Sequence, residues 1–530
     1  MLVCDRWDRQ NEISHGNSSR YLDPERWSAA QLAIHTIDVA IVLIYLMLVV
    51  AFGSWIGRGS TNLSGYLLGG RDLPWWAVLG SIVATETSTA TFLSVPGIAF
   101  AKGGDFRFLQ LALGYVLGRA VVSAVLLPAY FRGQLFSAYE VLEHRFGNAT
   151  KRAASLMFLV ARNLGDGLRL FLTGIVLEQV AGIALPVCIL IVGAVTIAYT
   201  FFGGMKAIVW NDCAQFVVYV AGGVLAGALI IQAIPDGWGG FSAFAQEHQK
   251  LRVFDFDWHP TTTYTFWSGL IGGAVLTMGT HGTDQMMVQR YLAARTRQDA
   301  SRALVLSGLV VTLQFALFLL LGVALAAFYF HHPPARPFTR NDEVFATYIV
   351  TELPVGIVGI TLAAVFSAAM STLSSSLHSS AAVAVNDFYL PMRKALSRTD
   401  RGLFASRLFT ILFGVVQIVV GIAASHFSRS VVGDALAIAG FTAGVLLGMF
   451  ALGVLTKRVQ QTAALLGMAC GLAMLTVIKF ATPIAWPWYA VIGAVATFSS
   501  GWLCSLVWPG RGRPDSPFAI PLPREEPDAA

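Results

Sequence analysis

The segment TLAAVFSAAMSTLSSSLHSSAAVAVND, residues 361–387, decides how this chain folds. It is apolar enough to form a membrane-spanning helix, yet it carries a run of hydroxyl groups, at Ser367, Ser371, Thr372, Ser374, Ser375, Ser376, Ser379 and Ser380. Inside a bilayer, each hydroxyl group must bond to a backbone carbonyl, to a neighbouring helix or to a bound ligand. The segment is therefore predicted to pack against other helices or to hold a ligand.

The spacing of these hydroxyl groups allows two interpretations. Residues three and four positions apart share a helix face, so Ser371, Ser374 and Ser375 point the same way. Ala368 and Thr372 lie close to that face. Hard oxygen donors grouped at mid-membrane depth suit a small hard cation, whereas small residues and hydroxyl groups also favour close packing between helices. This segment alone leaves both interpretations open.

The composition is that of a polytopic membrane protein. Of the 530 residues, 55% are hydrophobic and only 12% are charged, against about 25% charged in a soluble domain. Apolar runs of about 20 residues predict membrane-spanning helices, since barrel strands are about half as long and alternate in polarity. The net charge of +6 comes mainly from loop residues and does not indicate nucleic-acid binding. The five cysteines show no metal-binding or disulfide spacing.

The apolar runs predict thirteen transmembrane helices. They cover residues 34–55, 73–100, 108–130, 153–180, 184–203, 213–234, 266–289, 303–330, 353–386, 404–426, 432–455, 461–480 and 487–508. Loops on one side contain 20 Lys and Arg residues, and the other side contains 11 including the N-terminal segment. Because basic residues are enriched in cytoplasmic loops, the N-terminus is predicted outside and the C-terminus in the cytoplasm. Residues 1–33 would then be an extracellular or periplasmic segment and residues 509–530 a cytoplasmic tail, in a multi-pass protein of a cell membrane, with short loops that fit a bacterial inner membrane.

Two of the helices are predicted to be broken. Residues 76–104 contain the polar run ATETSTAT followed by Pro96-Gly97, which suits an unwound segment with free carbonyl groups; the alternative is a proline-kinked helix. Residues 269–292 contain five glycines and the polar sequence HGTDQ. The two broken helices begin five spans apart, and an odd number of crossings reverses the direction of the chain. The sequence therefore predicts two inverted five-helix repeats, residues 73–234 and 266–455, with helix 34–55 before them and two helices, residues 461–508, after them.

Three motifs carry a family resemblance. The segments AYTFFGGMKAIVWNDCAQ (198–215), GTDQMMVQRYLAARTRQDASRAL (282–304) and SAAMSTLSSSLHSS (367–380) resemble signatures of the sodium/solute symporter family. The resemblance extends from about residue 60 to 455. It implies the LeuT-type inverted-repeat fold, Na⁺ as the coupling ion, no organic cofactor, and uptake of solutes such as sugars, proline, sialic acid, monocarboxylates, vitamins or iodide.

The resemblance also implies a sodium site between the first broken helix and the hydroxyl-rich helix. Its carbonyl ligands fall at Ala84, Thr87 and Ala368, and its hydroxyl ligands at Ser371 and Thr372. Three carbonyls and two hydroxyls form a neutral oxygen shell, which suits Na⁺ without preventing its release.

A second sodium site occurs in some members, including the sialic acid transporters. By resemblance it would comprise Ser371, Ser374, Ser375 and Asp212, all of which are present. A carboxylate near a span is costly unless it is paired with a cation. The alternative is that Asp212 is solvated at the membrane interface or begins a helix.

The same resemblance implies a solute site. It would be formed by Ser88, Thr91, Phe106, Gln110 and Arg162, with Arg162 gripping a carboxylate. Asp166 and Arg169 share a helix face with Arg162, so an ion-paired group that neutralises itself is the alternative.

Glu86 departs from the sialic acid pattern. A carboxylate beside the solute would favour an ammonium group, so Glu86 and Arg162 could bind a zwitterion together or pair with each other. His281 and His378 are interpreted as packing residues, because a proton relay would need a carboxylate partner and the sequence places none.

These features predict a secondary active transporter that couples Na⁺ to a small polar organic solute by alternating access. The solute would be a carboxylate such as sialic acid or a monocarboxylate, a zwitterion or a sugar, and the other partner is the lipid bilayer. The alternatives are a proton-coupled or uncoupled carrier on the same fold, or a transporter-derived sensor. No catalytic motif indicates an enzyme, and the sequence does not determine the oligomeric state.

Overall fold

The apolar runs fold into long helices that end where glycine, proline or charged residues interrupt them. The computed structural model describes residues 35–58, 62–132, 135–334, 336–338, 340–392, 400–427 and 431–507. The predicted segment 1–33 and the predicted tail 509–530 lie outside these residues. The helices that build the bundle are α1 Thr36–Gly57, α2 Trp75–Glu86, α3 Thr89–Phe100, α4 Leu109–Val125, α5 Asn148–Ala181, α6 Leu185–Ala233, α7 Gly273–Gly282, α8 Gln285–Leu292, α9 Arg297–His331, α10 Ile357–Val383, α11 Asp400–Phe427, α12 Val431–Leu455, α13 Gln461–Ala481 and α14 Pro487–Val507. Connecting helices are Leu63–Leu68, Leu127–Tyr130, Glu140–Phe146, Trp238–Glu247, Glu343–Thr351 and Leu390–Met392, and π-helical turns are Ser268–Gly272 and Ala384–Tyr389.

Helix α10, which contains the hydroxyl-rich segment, lies in the centre of the bundle. Every residue from 361 to 385 is buried, and α10 packs against α1, α2, α5, α6, α8 and α11. The Asp38 carboxylate of α1 accepts hydrogen bonds from the backbone N–H groups of Gly356 and Gly359, each at 2.7 Å. It thereby satisfies free N–H groups at the start of α10 and complements the helix dipole. Helix α1, which precedes the repeats, thus fixes one end of the central helix.

Both predicted breaks are present. Helix α2 ends at Glu86 and α3 begins at Thr89, with a bend of 62° between them. Pro96 lies inside α3 and not at the break, so the break comes from the run of threonine and serine residues. The second break separates α7 from α8 at residues 283–284. There the Asp284 side chain accepts a hydrogen bond from Met286 N at 2.8 Å and so caps α8.

Helix α6 joins two of the predicted spans. It has 49 residues, roughly 73 Å at the α-helical rise, which is more than twice the thickness of a bilayer core. Gly204 interrupts it with φ 62° and ψ −175°, a left-handed backbone that glycine adopts without strain. The glycine therefore divides α6 into two arms.

The number of membrane crossings stays a prediction. By length and apolarity, nine of the described helices could cross a membrane, and the bent pair α2–α3 gives a tenth. Helix α5 and the pair α7–α8 are not among these spans, and both carry charged side chains. Thirteen crossings result if these two cross as well and α6 crosses twice.

Two predicted boundaries were wrong, and both errors involve charged residues. The sequence was interpreted as a loop between residues 203 and 213, but α6 continues through that region and Asp212 is fully buried. Asp212 therefore is neither solvated at an interface nor a helix start. The seventh span was predicted to end at residue 289, which placed Arg290 in a loop, but α8 continues to Leu292 and Arg290 is buried. Asp212 and Arg290 can both lie inside the bundle because each neutralises the charge of the other.

We expect Gly322→Ala to destabilise the protein, because α9 lies directly against α3 at this glycine. A Cβ atom at residue 322 would lie 2.1 Å from the carbonyl oxygen of Pro96. Forcing the two helices apart should lower the free energy of unfolding by about 1–3 kcal/mol.

Gly223→Ala is the matched control, since the nearest atom to its added Cβ would be Phe318 Cε1 at 3.5 Å. It should leave stability unchanged or raise it slightly through helix propensity. Thermal unfolding of both purified variants measures the difference, and equal midpoints would refute the close contact.

Candidate ion and solute site

The break in the first repeat leaves backbone carbonyl groups free, and α10 places two hydroxyl groups against them. Ser371 Oγ donates to Ala84 O at 2.9 Å and lies 3.2 Å from Ala368 O. Thr372 Oγ1 donates to Thr85 O at 2.8 Å and lies 3.5 Å from Thr87 O and 3.4 Å from Ala368 O. All of these residues are buried. The structure thus brings together the five residues predicted for the first sodium site and adds the carbonyl of Thr85.

These carbonyl and hydroxyl oxygens form the first oxygen set. The chemistry of the set suits a small cation. It consists only of neutral carbonyl and hydroxyl oxygens, and hydroxyl groups can rotate their lone pairs toward an ion. Thr87 has a further role, because its side chain accepts hydrogen bonds from Gln314 Nε2 and, at 3.2 Å, from Tyr219 OH. The unwound residue is thereby tied to α6 and α9 as well as to α10.

A second oxygen set surrounds Asp212. Asp212 Oδ2 accepts hydrogen bonds from Ser81 Oγ at 2.5 Å and from Thr85 Oγ1 at 3.3 Å. Thr85 Oγ1 lies 3.2 Å from Ser375 Oγ. Ser374 Oγ instead donates to the backbone carbonyl of Ser371 at 3.2 Å. Of the predicted second site, Asp212 and Ser375 are thus linked through Thr85, while Ser371 and Ser374 are bonded along α10.

The Arg290 guanidinium lies within the second oxygen set, which the sequence did not predict. Arg290 Nη2 lies 3.2 Å from Asp212 Oδ2 and donates to Thr85 Oγ1 at 2.5 Å and to Ser375 Oγ. Arg290 Nε donates to Ser81 Oγ at 2.8 Å. The other carboxylate oxygen, Asp212 Oδ1, is buried with no hydrogen-bond partner. The set therefore balances one buried carboxylate with one guanidinium and retains one free acceptor.

Glu86, at the end of α2, forms an ion pair with Arg119 of α4 and not with Arg162. Arg119 is fully buried and also donates to Ser307 Oγ at 2.5 Å. His281 Nε2 lies 3.6 Å from Glu86 Oε2, and His281 Nδ1 lies 2.8 Å from Tyr291 OH. The carboxylate partner that sequence analysis could not assign to His281 is therefore Glu86.

Arg162 is the centre of a separate charged group. It pairs with Asp284 at the break between α7 and α8, and its Nη1 lies 3.6 Å from Asp166 Oδ2. Asp166 also pairs with Arg169. Arg162, Arg169 and Asp284 border a cavity of about 40 Å³ whose wall also includes Thr280. The predicted pairing of Arg162 with Asp166 is present, whereas the predicted pairing with Glu86 is not.

The other predicted solute residues lie apart from this group. Gln110 is bonded to backbone atoms of the connection between α6 and α7: its Nε2 lies 3.4 Å from Tyr264 O, and its Oε1 accepts from Asp255 N at 3.0 Å. Phe106 is buried one turn before it. Ser88 lies in the break and Thr91 in the first turn of α3. Gln110 therefore contacts the long connection. Of these four predicted solute residues, only Ser88 and Thr91 lie beside the first oxygen set.

The long connection also covers the end of α3. Lys250 Nζ donates to the carbonyl oxygens of Ala99, Phe100 and Ala101 at 3.0, 3.2 and 2.7 Å. Burial lowers the pKa of Lys250 to about 8, although the nearby Asp105 charge acts in the opposite direction. A cationic side chain at this end complements the helix dipole and holds the connection over the bundle.

The loop at residues 135–139 is also held by hydrogen bonds, to the first residue of α8, to α5 and to the π-helical turn that follows α10. Gln285 Oε1 accepts from Ala138 N at 2.7 Å, and Gln285 Nε2 donates to Phe136 O at 3.0 Å. Asp387 accepts from Ser137 Oγ at 2.9 Å and from Ser155 Oγ at 2.6 Å. Hydrogen bonds thus hold the loop at residues 135–139 against α5, α8 and the π-helical turn Ala384–Tyr389.

Comparison with known proteins decides the family. A model of the "Sodium:solute symporter family" matches residues 66–471. The chain belongs to this family. This symporter is 29% identical over 453 residues to the human sodium/iodide cotransporter, covering 82% of this chain and 68% of that protein. It is 28% identical over 476 residues to the sodium/sialic acid symporter NanT of Aliivibrio fischeri, covering 88% of this chain and 92% of that protein. It is 31% identical over 432 residues to mouse sodium-coupled monocarboxylate transporter 1, covering 79% and 69%.

Solved structures agree with this assignment. The symporter resembles the substrate-bound outward-open state of a Na⁺-coupled sialic acid symporter with a TM-score of 0.81 and 26% identity, covering 89% of this chain and 98% of that one. It also resembles the nucleobase-cation-symport-1 transporter MHP1 in a closed conformation, with a TM-score of 0.57 and 15% identity, which supports the fold alone. The predicted all-helical fold is confirmed, and so is the assignment as a sodium-coupled symporter and not an enzyme. Na⁺ is its coupling ion, and it is a multi-pass membrane protein that binds a small solute.

Proposed function

We propose that Na⁺ binds to the first oxygen set and couples its own entry to uptake of a small polar organic solute. The observation that carries this proposal is the convergence of Ser371 and Thr372 with carbonyls of residues 84–87, where α2 ends. A carbonyl that has lost its helical partner is costly in a membrane unless another group satisfies it. Na⁺ would satisfy several of these oxygens at once, which favours the bent conformation of α2 and α3.

The position of the ion explains how binding could be coupled. Ser88 and Thr91 follow the sodium ligand Thr87 within one turn, so an ion that orders Thr87 would also order the proposed solute ligands. Coupling of this kind is reciprocal: the solute must raise the affinity for Na⁺ by the same factor. The hydrogen bonds that hold the long connection and those that hold the loop at residues 135–139 would then open in alternation.

A second Na⁺ would bind near Asp212, with Ser371, Ser374 and Ser375 as its other ligands. The free, buried Asp212 Oδ1 supports this proposal, because an unpartnered carboxylate oxygen in a membrane favours a cation. Arg290 and this ion would compete for Asp212 and Ser375. A second charge would add about 2.3 kcal/mol of driving force per 100 mV of membrane potential.

The proposed solute ligands are Glu86, Ser88, Thr91, Phe106, Gln110 and Arg162. Gln110 would have to leave its bonds to the long connection, and Arg162 would have to exchange Asp284 for a solute group. The proposed repeats are residues 73–234 and 266–455. The N-terminal segment would lie outside and the C-terminal tail in the cytoplasm of a bacterial inner membrane. No organic cofactor would take part.

Uptake into proteoliposomes tests this function. An inward Na⁺ gradient should drive accumulation of a solute from a panel of amino acids, monocarboxylates, sialic acids, sugars and vitamins, whereas an equal K⁺ gradient should not. Uptake at the same rate in both gradients would favour a proton-coupled or uncoupled carrier instead.

A further inference from the structure

The charged group around Arg162 contains as much negative as positive charge. Arg162 and Arg169 contribute two cations, and Asp166 and Asp284 contribute two anions. Asp166 is fully buried, and Arg162 and Asp284 are largely buried, with 14% and 12% of their side chains exposed. The group thus lines its cavity with both signs of charge and is neutral as a whole.

The hydrogen-bonding capacity of this group is not filled. Arg162 Nε and Asp166 Oδ2 are buried without a hydrogen-bond partner. A donor on Arg162, which borders the cavity, and an acceptor on Asp166, which is paired with Arg162, are therefore both unfilled. Leaving buried charged groups incompletely bonded is costly, and a ligand that carries both an acceptor and a donor would remove that cost.

The size of the cavity requires an exchange of partners. About 40 Å³ holds a few water molecules and not an organic solute. A solute can reach Arg162 only by separating it from Asp284, which lies at the break between α7 and α8. A simple carboxylate would then replace Asp284 on Arg162 and leave Asp284 buried without a cation. A solute with an ammonium group beside its carboxylate would instead serve both residues.

We propose that this symporter selects a zwitterionic solute, an α-amino acid or a close analogue, and that Asp284 is the residue that selects it. The carboxylate of the solute binds Arg162, and its ammonium group binds Asp284. The inference rests on the proposed function, because it assumes that the solute reaches Arg162. It goes beyond that function by naming the solute class and a residue that sequence analysis did not assign.

Matched pairs of ligands test the ammonium group by itself. Each α-amino acid of a panel is compared with the 2-hydroxy acid of the same skeleton, such as L-alanine with L-lactate. Thermal shift and intrinsic tryptophan fluorescence of the purified full-length protein are measured in NaCl and in KCl. We expect at least one amino acid to bind in NaCl with an affinity roughly 10–100-fold above that of its hydroxy partner, the ratio expected for one charge-assisted hydrogen bond. Equal or stronger binding of the hydroxy acids, or no binding by any amino acid, would overturn the inference.

The variant Asp284→Asn distinguishes a role of Asp284 in selecting the solute from a role in stabilising the fold. It removes the anion and leaves Arg162 free, so amino acids should lose affinity roughly 10–100-fold while hydroxy acids gain affinity. Asp72→Asn is the matched control: Asp72 is 67% exposed and pairs with Arg295 on the surface, so it should bind like the wild type. Equal loss for both ligand classes in Asp284→Asn would make Asp284 a structural residue. If Asp284→Asn does not fold, the ligand pairs are compared on the wild-type protein and on Asp284→Glu. Asp284→Glu retains the anion, so it should retain the preference for amino acids, and loss of that preference would contradict the proposed role of Asp284.

A Na⁺ titration without solute keeps the two proposals apart. Na⁺ stabilisation that requires Ser371, combined with a preference for hydroxy acids, would reject the zwitterion and preserve the sodium site. Absence of any specific Na⁺ effect would reject the proposed sodium site itself.

Discussion

Replacing Ser371 and Thr372 together by alanine should abolish Na⁺-driven uptake while the protein still folds. Each hydroxyl group bonds to a carbonyl in the last turn of α2, just before the break, Ser371 to Ala84 and Thr372 to Thr85. Loss of one oxygen ligand should raise the Na⁺ concentration for half-maximal uptake about tenfold, since one net hydrogen-bond-sized interaction is worth about 1–1.5 kcal/mol. Loss of both should raise it about a hundredfold, beyond any physiological Na⁺ concentration.

The fold should tolerate these changes, because a small hydroxyl residue is replaced by a smaller apolar one inside a helix. Ser379→Ala is the matched control on the same helix. Ser379 is equally buried, but its hydroxyl group donates only to the carbonyl of Ser376, one turn earlier, at 3.1 Å. Uptake kinetics at a series of Na⁺ concentrations measure the effect. Wild-type Na⁺ dependence in the double variant would show that these hydroxyl groups serve helix packing alone.

The central helix and the first oxygen set could be predicted because their signals are local. A run of hydroxyl residues in an apolar helix identifies a buried segment, and the threonine-rich run before residue 89 identifies a break. Both features depend on residues near each other in the chain. The contact between these two segments in the fold was predicted from the family resemblance, which places both of them in one sodium site.

The partners of the buried charges could not be predicted in the same way. Glu86 meets Arg119 and His281, which lie on helices 33 and 195 positions away in the chain. When spans are assigned by hydropathy, a charged residue is taken as the end of a span. Arg290 was therefore predicted to lie in a loop. A charged side chain can remain inside the membrane when an opposite charge meets it, and only the fold shows whether that charge is present. The one local signal for Arg290 was the uninterrupted helical sequence QMMVQRYL around it.

Arg290→Gln should be the most destabilising of the single substitutions, because it leaves Asp212 buried without a cation. Removing one partner of a buried ion pair costs about 3–5 kcal/mol. Asp212→Asn should be similarly harmful, since the Arg290 charge would then be uncompensated. The double variant Asp212→Asn/Arg290→Gln should recover much of the loss, because both charges disappear together. Thermal unfolding of the four proteins gives the coupling energy, and additive losses would mean that the pair does not act as a unit.

Arg295→Gln is the surface control, since Arg295 is 55% exposed and pairs with Asp72; exposed pairs contribute about 0–1 kcal/mol. The same variants also decide whether the second oxygen set accepts Na⁺. With Arg290 removed, Asp212, Thr85 and Ser375 have only a metal cation available to replace the guanidinium. NaCl should therefore stabilise Arg290→Gln more than it stabilises the wild type, and more than KCl does. This extra stabilisation should disappear when Asp212 is replaced as well. If Na⁺ and K⁺ act equally on Arg290→Gln, the second set holds only its arginine, and the symporter uses a single Na⁺ bound by Ser371 and Thr372.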